Sequence, residues 1–453
     1  MKVGPASAQQ PETTGNMEEI SMAHTVMAAS AAPSSLAQPS TVRWRIFGII
    51  FVLVVINLVD RVALSIAMPT IAGEFGLSPA FQGFILSSFF WSYAALQIPG
   101  GWLIDRFGPR MAITASTVLW GLFQSLAALA SGGVSLLLTR VGLGAAEAPL
   151  FPSGGKLNSV WLSARERGRG AVLMDCGGPL GAAVGGITIS WLIIGLGSWR
   201  LAFLVAGLVT VAMGLLAWWY LRDDPATHPG VNPAELARIT DADAPVPVGG
   251  GASRLNARSL VGVLIGRMGW TMVFFGLITW GPSYLAQARG FDLKQMGGAT
   301  FVIFLTGSIG SLTGGFLADW LCNRGFARAT VLKSMLAVSG LLTVASFIAL
   351  PAIADPVSAV ALLCGTVFFL MWGSLYWSFP ALLAPRDKVG LVGGAMNCAG
   401  SVSGIAIPLI TGFILQYTGA YLAVLYFFAA CAATYVIGTL VIDFSRSESA
   451  QTA

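Results

Sequence analysis

Apolar runs of about 20 residues recur along nearly the whole chain, at 44–72, 80–104, 111–130, 133–161, 169–194 and 200–221, then at 258–288, 295–321, 328–350, 355–383, 390–415 and 420–442. Runs of that length suit helices crossing a hydrocarbon core about 30 Å thick, whereas barrel strands would be near ten residues with strict alternation. Helices also close their own backbone hydrogen bonds, as lipid requires. The pattern predicts an all-α integral membrane protein of twelve transmembrane helices. A polar stretch from Arg222 to Ala257, with five prolines and Gly249-Gly250-Gly251, divides them six and six and reads as a flexible cytoplasmic linker. The expected plan is a disordered cytoplasmic tail over 1–42, a six-helix bundle over 43–221, the linker over 222–257, a second bundle over 258–444 and a cytoplasmic tail over 445–453.

The short loops carry an orientation signal. Arg106, Arg110, Arg165, Arg167, Arg169, Arg222, Arg238, Arg254, Arg258, Arg324, Arg328, Lys333, Arg386 and Lys388 fall on one side, against Arg200, Arg289 and Lys294 on the other. By the positive-inside rule both termini are cytoplasmic, as for a multi-pass protein of a bacterial inner membrane. The halves are also related. Gly100-Gly101-Trp102-Leu103-Ile104-Asp105-Arg106 follows the second run, and Gly314-Gly315-Phe316-Leu317-Ala318-Asp319-Trp320 follows the eighth. Two parallel six-helix repeats predict a central site near the bilayer midplane and access that alternates between the two faces.

Composition narrows the chemistry. The chain is 55% hydrophobic and only 10% charged, which excludes an ordinary soluble domain. A net charge of +5 would suit an anionic partner, but the basic residues sit in loops, so the expected surroundings are the bilayer and not nucleic acid. The five cysteines lie in or beside apolar runs and imply neither a disulfide framework nor a metal site. Both histidines, His24 and His228, lie outside the runs, so a buried proton carrier must be a carboxylate. No catalytic residues are indicated: there is no buried histidine, metal spacing or nucleophile elbow.

Charges inside the runs then stand out. Asp60 and Arg61 lie in the middle of the first, where an ionised group costs at least about 2.5 kcal/mol and is by default functional. Arg140 and Glu147 are seven residues apart, close to two turns, and share a face of the fourth helix. Adjacent residues diverge by about 100°, so Asp60 and Arg61 cannot face one partner, and Asp60 is expected to reach toward the fourth helix. The four are treated as one cluster, with a static salt-bridge network as the plainer alternative. Carboxylates alternating between arginine and water can load and release protons, while arginine offers a planar fork for a carboxylate.

Gly101-Trp102-Leu103-Ile104-Asp105-Arg106-Phe107-Gly108-Pro109-Arg110 resembles the loop 2-3 signature of the major facilitator superfamily. Asp60-Arg61, Trp91-Ser92-Tyr93, Gln97-Ile98-Pro99-Gly100-Gly101-Trp102, Glu147-Ala148-Pro149 and Gly393-Gly394 with Asn397 are similar to its anion:cation symporter branch, nearest to proton-coupled D-galactonate, glucarate and hexuronate transporters. The resemblance implies a monomeric importer of a sugar acid by proton symport, with no cofactor beyond protons. It implies proton coupling at Asp60 and Glu147, and substrate contacts at Arg61, Tyr93, Arg140, Trp377, Ser378 and Asn397. Asp105 and Arg106 would gate the cytoplasmic end.

The sequence departs from the sugar-acid pattern at three places. Asp175-Cys176-Gly177-Gly178-Pro179 stands where relatives end a polar stretch in Gln, Arg267 stands where they tend to have Gln, and Ser153-Gly154-Gly155-Lys156 replaces a common Asn-Asn-Arg run. Asp175 and Arg267 are therefore the candidate specificity residues. They are expected to pair across the halves, the alternative being that Arg267 binds a second carboxylate. These departures keep two other readings open, an importer of aromatic or dicarboxylic acids and a proton-coupled exporter; the arginines disfavour cationic drugs in the latter.

Overall fold

The structure, a computed structural model, describes residues 1, 4, 38–163, 165–240, 256–384 and 388–443. Most of the expected N-terminal tail, the second part of the linker and the C-terminal tail lie outside these residues. The described residues contain twelve long helices: α1 (Val42–Phe75), α2 (Pro79–Phe107), α3 (Pro109–Leu129), α4 (Gly133–Trp161), α5 (Arg167–Leu196), α6 (Trp199–Tyr220), α7 (Ala257–Arg289), α8 (Leu293–Asn323), α9 (Arg328–Ala352), α10 (Pro356–Ser378), α11 (Val389–Thr418) and α12 (Tyr421–Val441). Eleven are both long and apolar enough to cross a membrane; α2 has the length, at 29 residues. Among the described residues there is no strand.

Local chemistry sets the periplasmic turns. Ser78 caps α2, with Pro79 in its first turn, and Asp292 and Gln295 form a capping box at the start of α8. The four helices that run outward beside the centre, α1, α5, α7 and α11, each end on a left-handed glycine: Gly76, Gly197, Gly290 and Gly419.

Two spans are not single α-helices. The α4 ladder is interrupted at Ala148-Pro149, where proline has no N–H to give, and Ser116 Oγ donates to the Ala146 carbonyl at 2.6 Å. In α10 the α-helix ends at Leu370, runs as 3-10 turns over Met371–Ser378, and resumes at Phe379–Leu383.

Lipid tails are as apolar as leucine, so close backbone approach at small residues organises the bundles. In the N-terminal half α1 packs on α5, α2 on α4 and α3 on α6; in the C-terminal half α7 packs on α11, α8 on α10 and α9 on α12. Adding six to each helix number turns one set into the other, which is the expected repeat. Halves meet through α2 with α11 and α5 with α8.

The first part of the linker, up to Thr240, is folded and not a bare flexible tether. Its helix Pro233–Thr240 docks on the cytoplasmic end of the first half, where the Arg43 guanidinium bridges Glu235 at 2.8 Å and Glu166 at 3.1 Å. Burial would raise the Glu166 carboxyl, but hydrogen bonding and charge from Arg43 and Arg238 hold it below its usual range.

Backbone to backbone, the seam between the halves is closed on the periplasmic side. A Cβ on Gly83 would lie 2.6 Å from the Pro408 carbonyl oxygen and 3.4 Å from the Gly412 Cα, and one on Gly297 would lie 2.2 Å from Ser190 Oγ and 2.8 Å from the Gly186 carbonyl oxygen. Eighteen residues toward the cytoplasm from Gly83, Gly412, Gly186 and Gly297 stand Gly101, Gly394, Gly168 and Gly315. Eighteen residues are five turns, so each pair shares a helix face about 27 Å apart. None of these four cytoplasmic glycines has anything within 4 Å of a built Cβ. The central cavity therefore opens to the cytoplasm. Gly297→Leu is expected to favour the opposite, outward-open state. Labelling of a cysteine placed at Thr300 by an impermeant maleimide added from the periplasmic side should rise at least about fivefold, since overpacking costs about 1–3 kcal/mol. Unchanged labelling would mean the seam is not under steric control.

Candidate functional site

The charged cluster is built on close contacts among α1 to α6. Built Cβ atoms on Gly121 and Gly207 would lie 2.8 and 2.4 Å from each other's carbonyl oxygens, so α3 and α6 touch backbone to backbone. This brings Trp120 of α3 and Thr210 of α6 together on Asp60, whose Oδ2 accepts from Trp120 Nε1 at 3.0 Å and Thr210 Oγ1 at 2.9 Å. Asp60 is fully buried and its Oδ1 has no partner among the described residues. The expectation that Asp60 reaches toward the fourth helix is not met: the carboxylate turns into its own bundle, and only its backbone carbonyl meets α4, accepting from Arg140 Nη1 at 3.5 Å. The 100° divergence was read correctly, but the donors on α3 and α6 decide the direction.

Arg61 faces the other way, toward α2 and α4. A Cβ on Gly144 would lie 2.0 Å from the Phe89 carbonyl oxygen, and Ser92 Oγ donates to the Val141 carbonyl at 2.6 Å, so these helices are pressed together. Between them Arg61 Nε donates to Glu147 Oε2 at 2.9 Å, with Glu147 fully buried. The guanidinium lies over the Phe89 and Tyr93 rings, 4.4 and 4.8 Å from their centroids, and the two rings stack on each other. Arg140, 4% exposed, is 5.7 Å from Phe89. Arg61 Nη2, Arg140 Nε and Glu147 Oε1 have no hydrogen-bond partner among the described residues. Arg61, Ser65, Phe89 and Arg140 line a small pocket with Phe275 and Thr279 of α7, capped by Phe90 packed edge-on to Phe275 at 4.7 Å. Two arginines with unused donors at an apolar-walled pocket can take a carboxylate.

Across the cavity, Arg267 lies between Trp270 and Trp377, 4.4 and 4.9 Å from the ring centroids. The expected ion pair with Asp175 is not formed: Asp175 is exposed and the two feel each other electrostatically, but among the described residues they are not within 4 Å. They sit on different halves, Asp175 on α5 and Arg267 on α7. Asn397 Nδ2 donates to Gln97 Oε1 at 2.8 Å, a contact that spans the halves. Ser378, half-buried, follows Trp377 at the junction back to α-helix. Asp105 is exposed and pairs with Lys156 at 3.3 Å, inside its own half, while Arg106 lies over Trp102 and Phe107. An exposed pair contributes roughly 0–1 kcal/mol, so neither residue holds the halves together in this state.

The structure brings Asp60, Arg61, Arg140, Glu147 and Tyr93 into one site, with Arg267 and Trp377 on the facing half. Sequence reasoning missed Trp120, Thr210, Phe89 and Trp270, which look like ordinary apolar-span residues until the fold aims them. Lys156 was seen only as a departure from the family pattern, yet it is the partner of Asp105.

The sequence matches the Major Facilitator Superfamily over residues 50–408. It is 31% identical over 430 residues to the Escherichia coli (strain K12) "Probable galactarate/D-glucarate transporter GarP", covering 90% of this chain and 96% of that one. It is 32% identical over 430 residues to the "D-galactonate transporter" of Escherichia coli O6:H1, covering 91% and 99%. In fold it is similar to a bacterial homolog of the human lysosomal transporter Spinster, solved in an inward-facing and occupied conformation, with a TM-score of 0.66 at 16% identity over 90% of this chain and 95% of that one.

Proposed function

The chain belongs to the Major Facilitator Superfamily, a transporter and not an enzyme, and from that premise we propose that it imports a sugar acid together with protons by alternating access. It is a multi-pass protein of the inner membrane. The observation that carries the proposal is the buried Arg61–Glu147 pair at 2.9 Å beside a pocket that Arg140 also lines. Arg61 gives Nε to Glu147 while its Nη2 stays open, so an ionised Glu147 competes with a substrate carboxylate for the guanidinium's charge and part of its fork. A proton arriving on Glu147 removes the competitor and frees the guanidinium for the anion. Asp60 is the second proton carrier, its buried Oδ1 without a hydrogen-bond partner among the described residues. Protons are the coupling ion, no other cofactor is involved, and one chain suffices.

Substrate contacts fall to Arg61, Arg140 and Tyr93 on one half and to Trp377, Ser378 and Asn397 on the other. Asp105 and Arg106, free of the second half while the cytoplasmic side is open, gate it when it closes. The sugar-acid class is supported by the two relatives, named for galactarate/D-glucarate and D-galactonate. Alternating access is supported by the repeated glycines, present on both sides of the membrane and in contact on one.

The test is uptake into proteoliposomes. With the outside at pH 6 and the lumen at pH 8, labelled D-galactonate or D-glucarate is expected to accumulate at least about tenfold, since each proton carried across such a step contributes about 2.7 kcal/mol. A protonophore should abolish the accumulation. Absence of accumulation of either acid, or net extrusion under the same gradient, would remove the proposal.

A further inference from the structure

We propose that Arg267 is a second anion-binding position, so that the preferred substrate is a dicarboxylate held by Arg61 and Arg140 at one end and by Arg267 at the other. The inference rests on the sugar-acid reading above and narrows it to one class. Arg267 is only 7% exposed, yet its Nε and Nη1 have no hydrogen-bond partner among the described residues. It takes part in no ion pair within 4 Å among them either. A buried guanidinium left in this condition is costly, and the two indoles around it offer ring faces but no acceptor oxygens.

The position is built, not incidental. Trp270 Nε1 donates to the Leu370 carbonyl at 2.6 Å, and Phe274 stacks on the same ring at 5.5 Å and 8°. A Cβ on Gly373 would lie 2.0 Å from Trp270 Nε1, so only glycine there lets the indole seat. The 3-10 turn that carries Gly373 also carries Trp377, whose ring centroid lies 4.9 Å from the guanidinium carbon. Arg267 is therefore held in a fixed plane with its fork free, the geometry a carboxylate takes in two parallel hydrogen bonds. Asp175, the acid whose charge Arg267 feels most, is exposed and forms no ion pair with it within 4 Å among the described residues, which leaves the fork to a ligand.

Charge balance points the same way. Arg61, Arg140 and Arg267 face Asp60, Glu147 and Asp175, so the ionised empty site is neutral. Protonating Asp60 and Glu147 leaves two positive charges, which a dicarboxylate cancels and a monocarboxylate halves. Net charge at the bilayer midplane is expensive, so the neutral loaded state is the one that can close and turn over.

Galactarate and D-galactonate share the same six-carbon polyhydroxy chain and configuration and differ only at C6, a carboxylate in the first and a hydroxymethyl group in the second. Binding of each to the purified full-length protein is measured by calorimetry. Wild type is expected to bind galactarate at least about tenfold more tightly than D-galactonate, a difference of about 1.4 kcal/mol. Arg267→Gln should lose that preference while D-galactonate affinity changes less than about threefold. Equal wild-type affinities, a preference that survives Arg267→Gln, or equal losses for both acids would overturn the inference and leave the sugar-acid reading standing. So would Asp175→Asn reproducing the Arg267→Gln profile, because Arg267 would then act through Asp175. Should Arg267→Gln not fold, Arg267→Lys keeps the charge without the planar fork; a lowered preference supports the inference and an unchanged one overturns it. Wild-type binding of neither acid overturns this inference and the sugar-acid reading together.

Discussion

Glu147→Gln is expected to exchange labelled substrate across a proteoliposome membrane at close to the wild-type rate, while accumulation driven by an inward proton gradient disappears. Glu147 is fully buried and its Oε2 accepts from Arg61 Nε at 2.9 Å. Removing one partner of a buried pair typically costs about 3–5 kcal/mol, because the other charge is left uncompensated. Here the stranded charge is a substrate ligand. The variant recovers much of that cost when an anion binds, so its substrate affinity should rise, by roughly tenfold if about 1.4 kcal/mol is recovered. Glutamine has nearly the shape of the protonated carboxyl and cannot release a proton, so the loaded carrier still turns over but no longer couples. Exchange is insensitive to that loss and accumulation depends on it wholly. Wild-type accumulation in Glu147→Gln would show that Arg61–Glu147 is a static brace.

The helices were legible in sequence because lipid leaves few choices: a backbone in hydrocarbon must be helical, and the apolar runs report its length. Thus the run at 44–72 became Val42–Phe75, and the twelve-span plan followed from counting. The site was legible only in part. Arg61, Arg140 and Glu147 meet because helix periodicity and burial cost constrain all three. Asp60 turned elsewhere because its direction is set by Trp120 and Thr210, whose aim depends on how closely Gly121 and Gly207 let α3 and α6 approach. No periodicity within α1 contains that information. The Asp175–Arg267 pairing failed for a different reason: the two stand on helices of different halves, and no spacing within one helix records how far apart those helices sit. The 3-10 stretch over Met371–Ser378 was hidden likewise, since the close seat of Trp270 against Gly373 appears only when α7 and α10 are in contact.

A second large effect is expected at the cytoplasmic seam. Gly83 opposes Gly412, and Gly186 opposes Gly297, on antiparallel helices that touch on the periplasmic side. Each helix carries a further glycine eighteen residues, or five turns, toward the cytoplasm, so the same antiparallel register sets Gly101 opposite Gly394 and Gly168 opposite Gly315. With nothing within 4 Å of a built Cβ, those four are open in the present state. If rocking one half on the other closes the cytoplasmic side as the periplasmic side is now closed, Gly101 and Gly394 should come within disulfide range, a Cα separation of about 4.4–6.8 Å. In a background lacking the native cysteines, Gly101→Cys with Gly394→Cys is therefore expected to cross-link under oxidant during turnover. Uptake should stop in the linked fraction and recover on reduction. Gly83→Cys with Gly412→Cys should link in the inward-open state instead. Gly101→Cys with Gly315→Cys, which the register does not oppose, serves as the control and should stay free. Efficient linking of the control, or none of Gly101→Cys with Gly394→Cys under any gradient, would mean that the cytoplasmic side closes by some motion other than the mirror of the periplasmic one.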